Sequence, residues 1–185
     1  PAWRPGKYQM AGFAANVQCF EPFNEAGHSL AFRKINTHCW AIATEHAQRL
    51  IIHYNYYAAH LDAGNTYLDE NQLYLNPVNF ALYVQERMDE PCRVQLILPD
   101  DYMVATPLKR AGKNTFEANH FHHLADSPLI ASDSLKRSTL DISPYRFHLW
   151  FSGIANPDYD QIKQDFKAFI EKAIAPFGEF PVYHY

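Results

Sequence analysis

The chain has few glycines and few cysteines, and it has no long apolar run. Seven glycines in 185 residues leave little room for a phosphate-cradling loop, and no glycine-rich nucleotide motif occurs. Three cysteines, Cys19, Cys39 and Cys92, are widely spaced and odd in number, so they form neither a C-x-x-C pair nor a zinc ligand set. They read as buried free thiols that suit a reducing, cytoplasmic compartment. No stretch of about 18 apolar residues exists, which excludes a membrane-spanning helix. A formal net charge of −4 argues against a general nucleic-acid binder. The catalytic signatures H-E-x-x-H and G-x-S-x-G are both absent.

What is present is aromatic and β-prone. Aromatics make up 15% of the chain, led by 13 Phe and 12 Tyr, many beside β-branched residues. Period-2 alternation marks His38 to Thr44 and Arg49 to Ala58, the latter with Leu50, Ile52, Tyr54 and Tyr56 on one face. Tyr67-Leu68, Gln72 to Leu75, Ala81 to Val84, Phe116 to His120 and Leu129 to Ser132 are shorter strand candidates. Cys92 to Leu98 groups Val94, Leu96 and Leu98. Tyr145 to Ser152 sets Tyr145, Phe147, Leu149 and Phe151 against Arg146, His148, Trp150 and Ser152. Many short strands with close turns predict a mainly β fold, an antiparallel β-sandwich.

One segment breaks the pattern. Asn156-Pro157 is a capping side chain followed by Pro at the first helical position, with Asp158 and Asp160 near the positive helix end. Ile162, Phe166, Phe169, Ile170, Ala173 and Ile174 then fall at helical spacing, and Pro176 and Gly178 stop the run. This predicts a C-terminal amphipathic helix. The expected organisation is a β domain over 1–155 and, over 156–185, the start of a following α/β domain that is mostly absent. Both ends of the chain have the character of cuts: no initiator Met or leader at Pro1, and a strand-like Pro181 to Tyr185.

Three groups could carry chemistry. His120 and His122 share a face if their segment is a strand, as a cupin-like metalloenzyme would require, but the companion Glu and later His are missing, and a structural or surface role is preferred. Asp126-Ser127-Pro128 reads as a turn rather than a catalytic acid, since no partner base is evident. Leu75 to Asn79 is a polar break between strands. Its simpler reading is a loop whose Asn side chains bond their own backbone. Its functional reading has Asn76 or Asn79, beside Tyr74, touch a ligand.

Several segments together resemble the glycyl aminopeptidase family, zinc metallopeptidases of the gluzincin type. Trp3 to Tyr8 with Phe13 to Val17 resembles its amino-terminal region. Leu61 to Tyr67 with Leu73 to Pro77 resembles the next block, and His123 to Pro128 its L-x-D-S-P segment. Arg146 to Trp150, the helix, and Phe177-Gly178 with Pro181 and Tyr185 resemble the approach to the catalytic domain. The resemblance implies a non-catalytic sandwich domain, inactive alone, whose partners are the missing catalytic domain and a peptide substrate. It implies zinc in the full-length protein, held by two His and a Glu downstream, and no cofactor in this chain. By analogy with related aminopeptidases, a sandwich loop lines the substrate cleft, and Asn76, Asn79 and Tyr74 are the candidate residues. The alternative is a stand-alone carbohydrate- or ligand-binding β-sandwich module with a row of surface aromatics, for which Trp3 and Tyr56-Tyr57 are the candidates.

Overall fold

Side-chain alternation builds nearly all of the strands. A computed structural model describes residues 12–44, 46–153 and 156–179. After a 3₁₀ turn at Phe13–Asn16 come β1 (Val17–Asn24), β2 (Phe32–Asn36), β3 (Cys39–Ile42), β4 (Leu50–Tyr56), β5 (Tyr67–Leu68) and β6 (Gln72–Leu75). A single helical turn, α1 (Pro77–Phe80), precedes β7 (Cys92–Gln95), β8 (Met103–Ala105), β9 (Lys109–Gly112) and β10 (Thr115–Ala118). Then follow α2 (Phe121–Ala125), β11 (Leu129–Ser132), β12 (Lys136–Ile142), β13 (Tyr145–Phe151) and α3 (Tyr159–Ile174).

All pairings are antiparallel. One sheet runs β5-β6-β11-β8 and another β7-β10-β9, while β1-β4, β2-β3 and β12-β13 are two-stranded. The main core lies between the first two sheets. Val104, Leu108, Phe116, Ala118, Leu129 and Ala131 are buried there, with Leu73, Leu75, Val94, Leu96 and Leu98 packed against them. The predicted grouping of Val94, Leu96 and Leu98 is thus seen, while Ile97 between them is 98% exposed. The fold is mainly β with antiparallel sheets and a trailing helix, as the alternation predicts.

Four local readings change. Ala81 to Val84 is extended at both ends (φ −64°, ψ 128° at Ala81; φ −100°, ψ 128° at Val84) but pairs with no strand among the described residues. The strand before the histidines stops at Ala118, and His120 instead caps α2, its Nδ1 accepting the His123 N–H at 3.1 Å. The long helix begins two residues later than Asn156-Pro157 implies, because Asp158 is its N-cap and accepts the Gln161 N–H at 3.0 Å. Asp158 offers the same short acceptor and adds charge at the dipole's positive end, so it takes the cap. Cys39 and Cys92 are only half-buried, and Cys19 is exposed rather than buried. It sits at φ 50° inside the irregular β1 register between Gln18 and Glu21.

A second, smaller core lies where α3 meets the last hairpin. Leu140, Ile142, Phe147 and Ile170 are buried there, with Tyr145 and Ile174 packed on them.

Candidate functional site

The polar break after β6 is a built turn, not an open loop. Asn76 precedes Pro77, which starts α1 at the position where a missing N–H costs nothing. Asn76 and Asn79 are both buried, at 7% and 4% exposure. Their partners come from the turn before β5. There Asp62 Oδ1 accepts the Gly64 N–H at 2.6 Å and its Oδ2 accepts from Asn65 Nδ2. Asn79 Nδ2 donates to the Gly64 carbonyl at 3.1 Å and to Thr66 Oγ1 at 3.3 Å. Thr66 Oγ1 also accepts the Asn76 N–H at 3.1 Å. The two asparagines thus bond residues 10 to 15 positions away rather than their own backbone.

This network fixes the orientation of the Asn79 amide. A carbonyl accepts and cannot donate, so the group facing Gly64 O must be the NH₂. Oδ1 is then left over. It is buried and has no hydrogen-bond partner. Asn79 also borders a cavity of about 250 Å³ with Phe13, Phe20, Trp40, Ile52 and Leu82. An acceptor without a donor in an apolar surround is costly, typically about 1–3 kcal/mol. Tyr74, on β6, is half-buried and directs its hydroxyl to the Ala63 carbonyl at 3.4 Å. The structure therefore brings Tyr74, Asn76 and Asn79 to one place, around the 63–66 turn.

Phe80, which also lines this cavity, is held by Tyr54. Its hydroxyl donates to the Phe80 carbonyl at 2.7 Å, and burial, with Tyr56 beside it, pushes its pKa up to about 12. Tyr56 is half-buried against Phe80 and accepts from Asn16, and burial raises its pKa as well. Sequence reasoning missed Thr66 and Tyr54. Neither stands in a motif, and their partners lie 10 to 26 residues away.

The other candidates separate. His120 and His122 do not share a strand face: one caps α2 and the other is exposed on it. Among the described residues no group of three or more His, Cys, Asp or Glu is placed to hold a metal. Asp126 is exposed at the end of α2, and the turn bond is made by Ser127, whose hydroxyl donates to the His123 carbonyl at 2.6 Å. Tyr57 is exposed while Tyr56 is held inward, so the pair forms no flat platform, and Trp3 lies outside the described residues. Among the described residues no helix is long and apolar enough to cross a membrane.

The family model described as Peptidase M61 N-terminal domain matches residues 1–133. No curated protein matches the chain. Among solved structures, the chain is similar to an aminopeptidase N family protein from Idiomarina loihiensis, with 27% identity and a TM-score of 0.90. That match covers 100% of this chain and 32% of the solved one, so the chain spans about a third of that protein's length.

Proposed function

The chain belongs to the peptidase M61 N-terminal domain family, and on that premise we propose that it is the non-catalytic domain of a zinc-dependent aminopeptidase. Its role is to support a catalytic domain and to shape one wall of the substrate cleft. The observation that carries this reading is the fit of the whole chain, α3 included, onto one third of an aminopeptidase N family protein. The described residues do not suit zinc, since no three ligand groups converge. In this reading zinc is held by the rest of the parent, and no step of hydrolysis is assigned to this chain.

The Tyr74 to Asn79 segment is the part we assign to the cleft wall. The support is the analogy with related aminopeptidases and the rigidity of the turn. Asn76 and Asn79 act as positioning residues there, because their amides face the 63–66 turn. Tyr74 is the candidate for substrate contact.

The test uses the longer parent polypeptide and an aminoacyl p-nitroanilide. Hydrolysis that is lost on chelation and restored by zinc is expected from the parent, and none from the 185-residue chain. Within the parent, Tyr74→Phe should raise KM with little change in kcat. Hydrolysis by the 185-residue chain alone would overturn the non-catalytic assignment. A KM unmoved by Tyr74→Phe would remove Tyr74 from the cleft.

A further inference from the structure

Residues 79–85 run in succession along one side of the cavity of about 250 Å³. Inside that run, Ala81 and Val84 have extended backbone, and the stretch between them joins no sheet among the described residues. The backbone groups at its ends are taken. The Ala81 N–H donates to the Pro77 carbonyl at 2.8 Å, the Phe80 carbonyl accepts the Tyr54 hydroxyl at 2.7 Å, and the Val84 carbonyl accepts the Arg87 N–H at 3.0 Å. The N–H and C=O groups of Leu82 and Tyr83 have no hydrogen-bond partner among the described residues. The segment is nevertheless held in place, because the Tyr83 ring packs on Phe121 with centroids 4.5 Å apart. Its edge is open, with Tyr83 43% and Val84 49% exposed. Across the cavity stand Phe20 of β1, stacked on Trp40 of β3 at 4.8 Å, and Ile42, Leu50 and Ile52. Among the described residues no Asp, Glu, Lys or Arg lines this space.

We propose that the 81–84 segment is an open strand edge that binds an extended peptide, one of whose apolar side chains enters the adjoining cavity. Three features select this occupant. Free N–H and C=O groups along extended backbone are complementary to another backbone, which is how a peptide adds a strand to an exposed edge. The cavity, at about 250 Å³, is smaller than the roughly 300–1,000 Å³ of sites that enclose a drug-sized molecule, so it takes one side chain rather than the whole body of a ligand. Its apolar and aromatic lining favours burial of a leucine-like or phenylalanine-like group and would leave an ionised one unpaired. A second copy fits less well. Every described strand already lies beside a partner, so another copy would bring two chains to the edge instead of one. Pre-organisation adds to the case, since the Tyr54 and Phe121 contacts fix the segment before any peptide arrives. The site lies wholly within this chain and needs no zinc, so it goes beyond the peptidase reading.

The probe is a fluorescein-labelled hexapeptide of alternating threonine and leucine, titrated against the 185-residue chain in chelator and followed by anisotropy. Saturable binding is expected, and replacing the leucines by aspartate should weaken it at least about tenfold. In an extended chain successive residues turn their N–H groups to opposite edges, so methylating the threonine nitrogens blocks one edge of the peptide and methylating the leucine nitrogens blocks the other. One methylated peptide should lose at least about tenfold in affinity, and the other should stay within about threefold of the unmodified peptide. Hydrogen exchange locates the contact. At saturating peptide, exchange of the Leu82 or the Tyr83 N–H, whichever faces the peptide, should slow at least about tenfold. Absence of saturable binding, equal affinity of the two methylated peptides, or no slowing at either amide would each overturn the proposal. So would sedimentation showing a dimer that protects the same amide without peptide, since a second copy would then fill the edge. The outcome is separable from the functional reading. Binding in this pattern stands whether or not the longer polypeptide hydrolyses an aminoacyl substrate, and hydrolysis there does not rescue a chain that binds no peptide.

Discussion

Replacing Asn79 by Ala tests whether the turn after β6 is held by its buried amide. The substitution removes two hydrogen bonds, to the Gly64 carbonyl at 3.1 Å and to Thr66 Oγ1 at 3.3 Å. Gly64 is buried, so its carbonyl loses a partner that water cannot easily replace. Leaving such a group unpaired costs about 1–3 kcal/mol, and a small cavity adds to it. Against this, Oδ1 already lacks a partner, so removing it returns part of the loss. The balance is about 2 kcal/mol of destabilisation, which for a chain of this size lowers Tm by about 4–8 °C and the urea midpoint by about 1 M. Asn79→Asp sharpens the test. A carboxylate would face the Gly64 carbonyl with no donor, so burial and the carbonyl raise its pKa in the folded state. A raised folded pKa means that the acid form is tolerated at low pH and that stability is lost as pH rises from the ordinary carboxyl range, by up to about 1.4 kcal/mol per pH unit. The Asp variant should therefore match the Ala variant near pH 4 and fall below it at pH 7. Urea melts at both pH values read the result. An Ala variant within about 0.5 kcal/mol of the parent sequence, together with a pH-independent Asp variant, would refute the network.

Other consequences can be checked on the same chain. Asp158→Ala should cost about 1 kcal/mol in a thermal melt because it removes the α3 cap, whereas Asn156→Ala should be close to neutral. Tyr54→Phe should cost about 1 kcal/mol through the lost bond to Phe80, and it should remove a late-ionising tyrosine from an ultraviolet titration of the folded protein. Asp69 accepts the Asn71 and Gln72 N–H groups at 2.8 Å each, and these bonds hold its carboxyl below the usual carboxylate range. A lowered folded pKa gives stability that is present above about pH 4 and is lost as pH falls through the folded value, so Asp69→Asn should flatten the acid limb of Tm against pH. Elemental analysis of the purified chain should find well below one zinc per molecule.

Strands were legible wherever a single chain segment carries its own period. β4, β7 and β13 lie within the spans that sequence alternation marks, although β7 stops at Gln95, short of Leu98. Pairing is another matter. Ala81 to Val84 has the same composition as a strand, but the described residues around it give it no ladder partner. The Phe80 carbonyl just before it is taken by Tyr54, and Tyr83 turns to pack on Phe121 at 4.5 Å. A short apolar run states that it wants to be extended and buried; it does not state what lies beside it. The buried asparagines are illegible for a related reason. Asn76 and Asn79 look like loop residues because local Asn turns are common, and the groups that capture them come from the far side of β5 and β6. The start of α3 lies two residues beyond the point at which Asn156-Pro157 places it. Asn156-Pro157 and Asp158 both fit a helix start, and only the structure shows which acceptor meets a free N–H.

The histidines show how one local choice decides a chemical question. Read at period 2, His120 and His122 would present two nitrogens to one metal. In α2 they lie two positions apart on a helical turn, with ring centroids 6.3 Å apart, and His120 and His123 rings are 6.0 Å apart. Zinc needs ligand nitrogens about 2.0–2.1 Å from one point, so two of them must approach to about 3.3 Å in a tetrahedral site. The Nδ1 atoms are already in use. His120 Nδ1 accepts the His123 N–H, and His123 Nδ1 accepts the Asn119 N–H, both at 3.1 Å. An accepting Nδ1 leaves the proton of a neutral ring on Nε2. Metal binding would have to displace these caps or strip those Nε2 protons, and it would have to swing at least one ring toward another. The backbone thus turns His120 into the cap of a helix and His123 into the anchor for Asn119. The same substitution of roles occurs at Asn76 and Asn79, whose amide NH₂ groups are spent on the 63–66 turn. Polar groups that hold the fold in this way set the shape of the turn they anchor, and it is this shaping that the proposed cleft-wall role draws on.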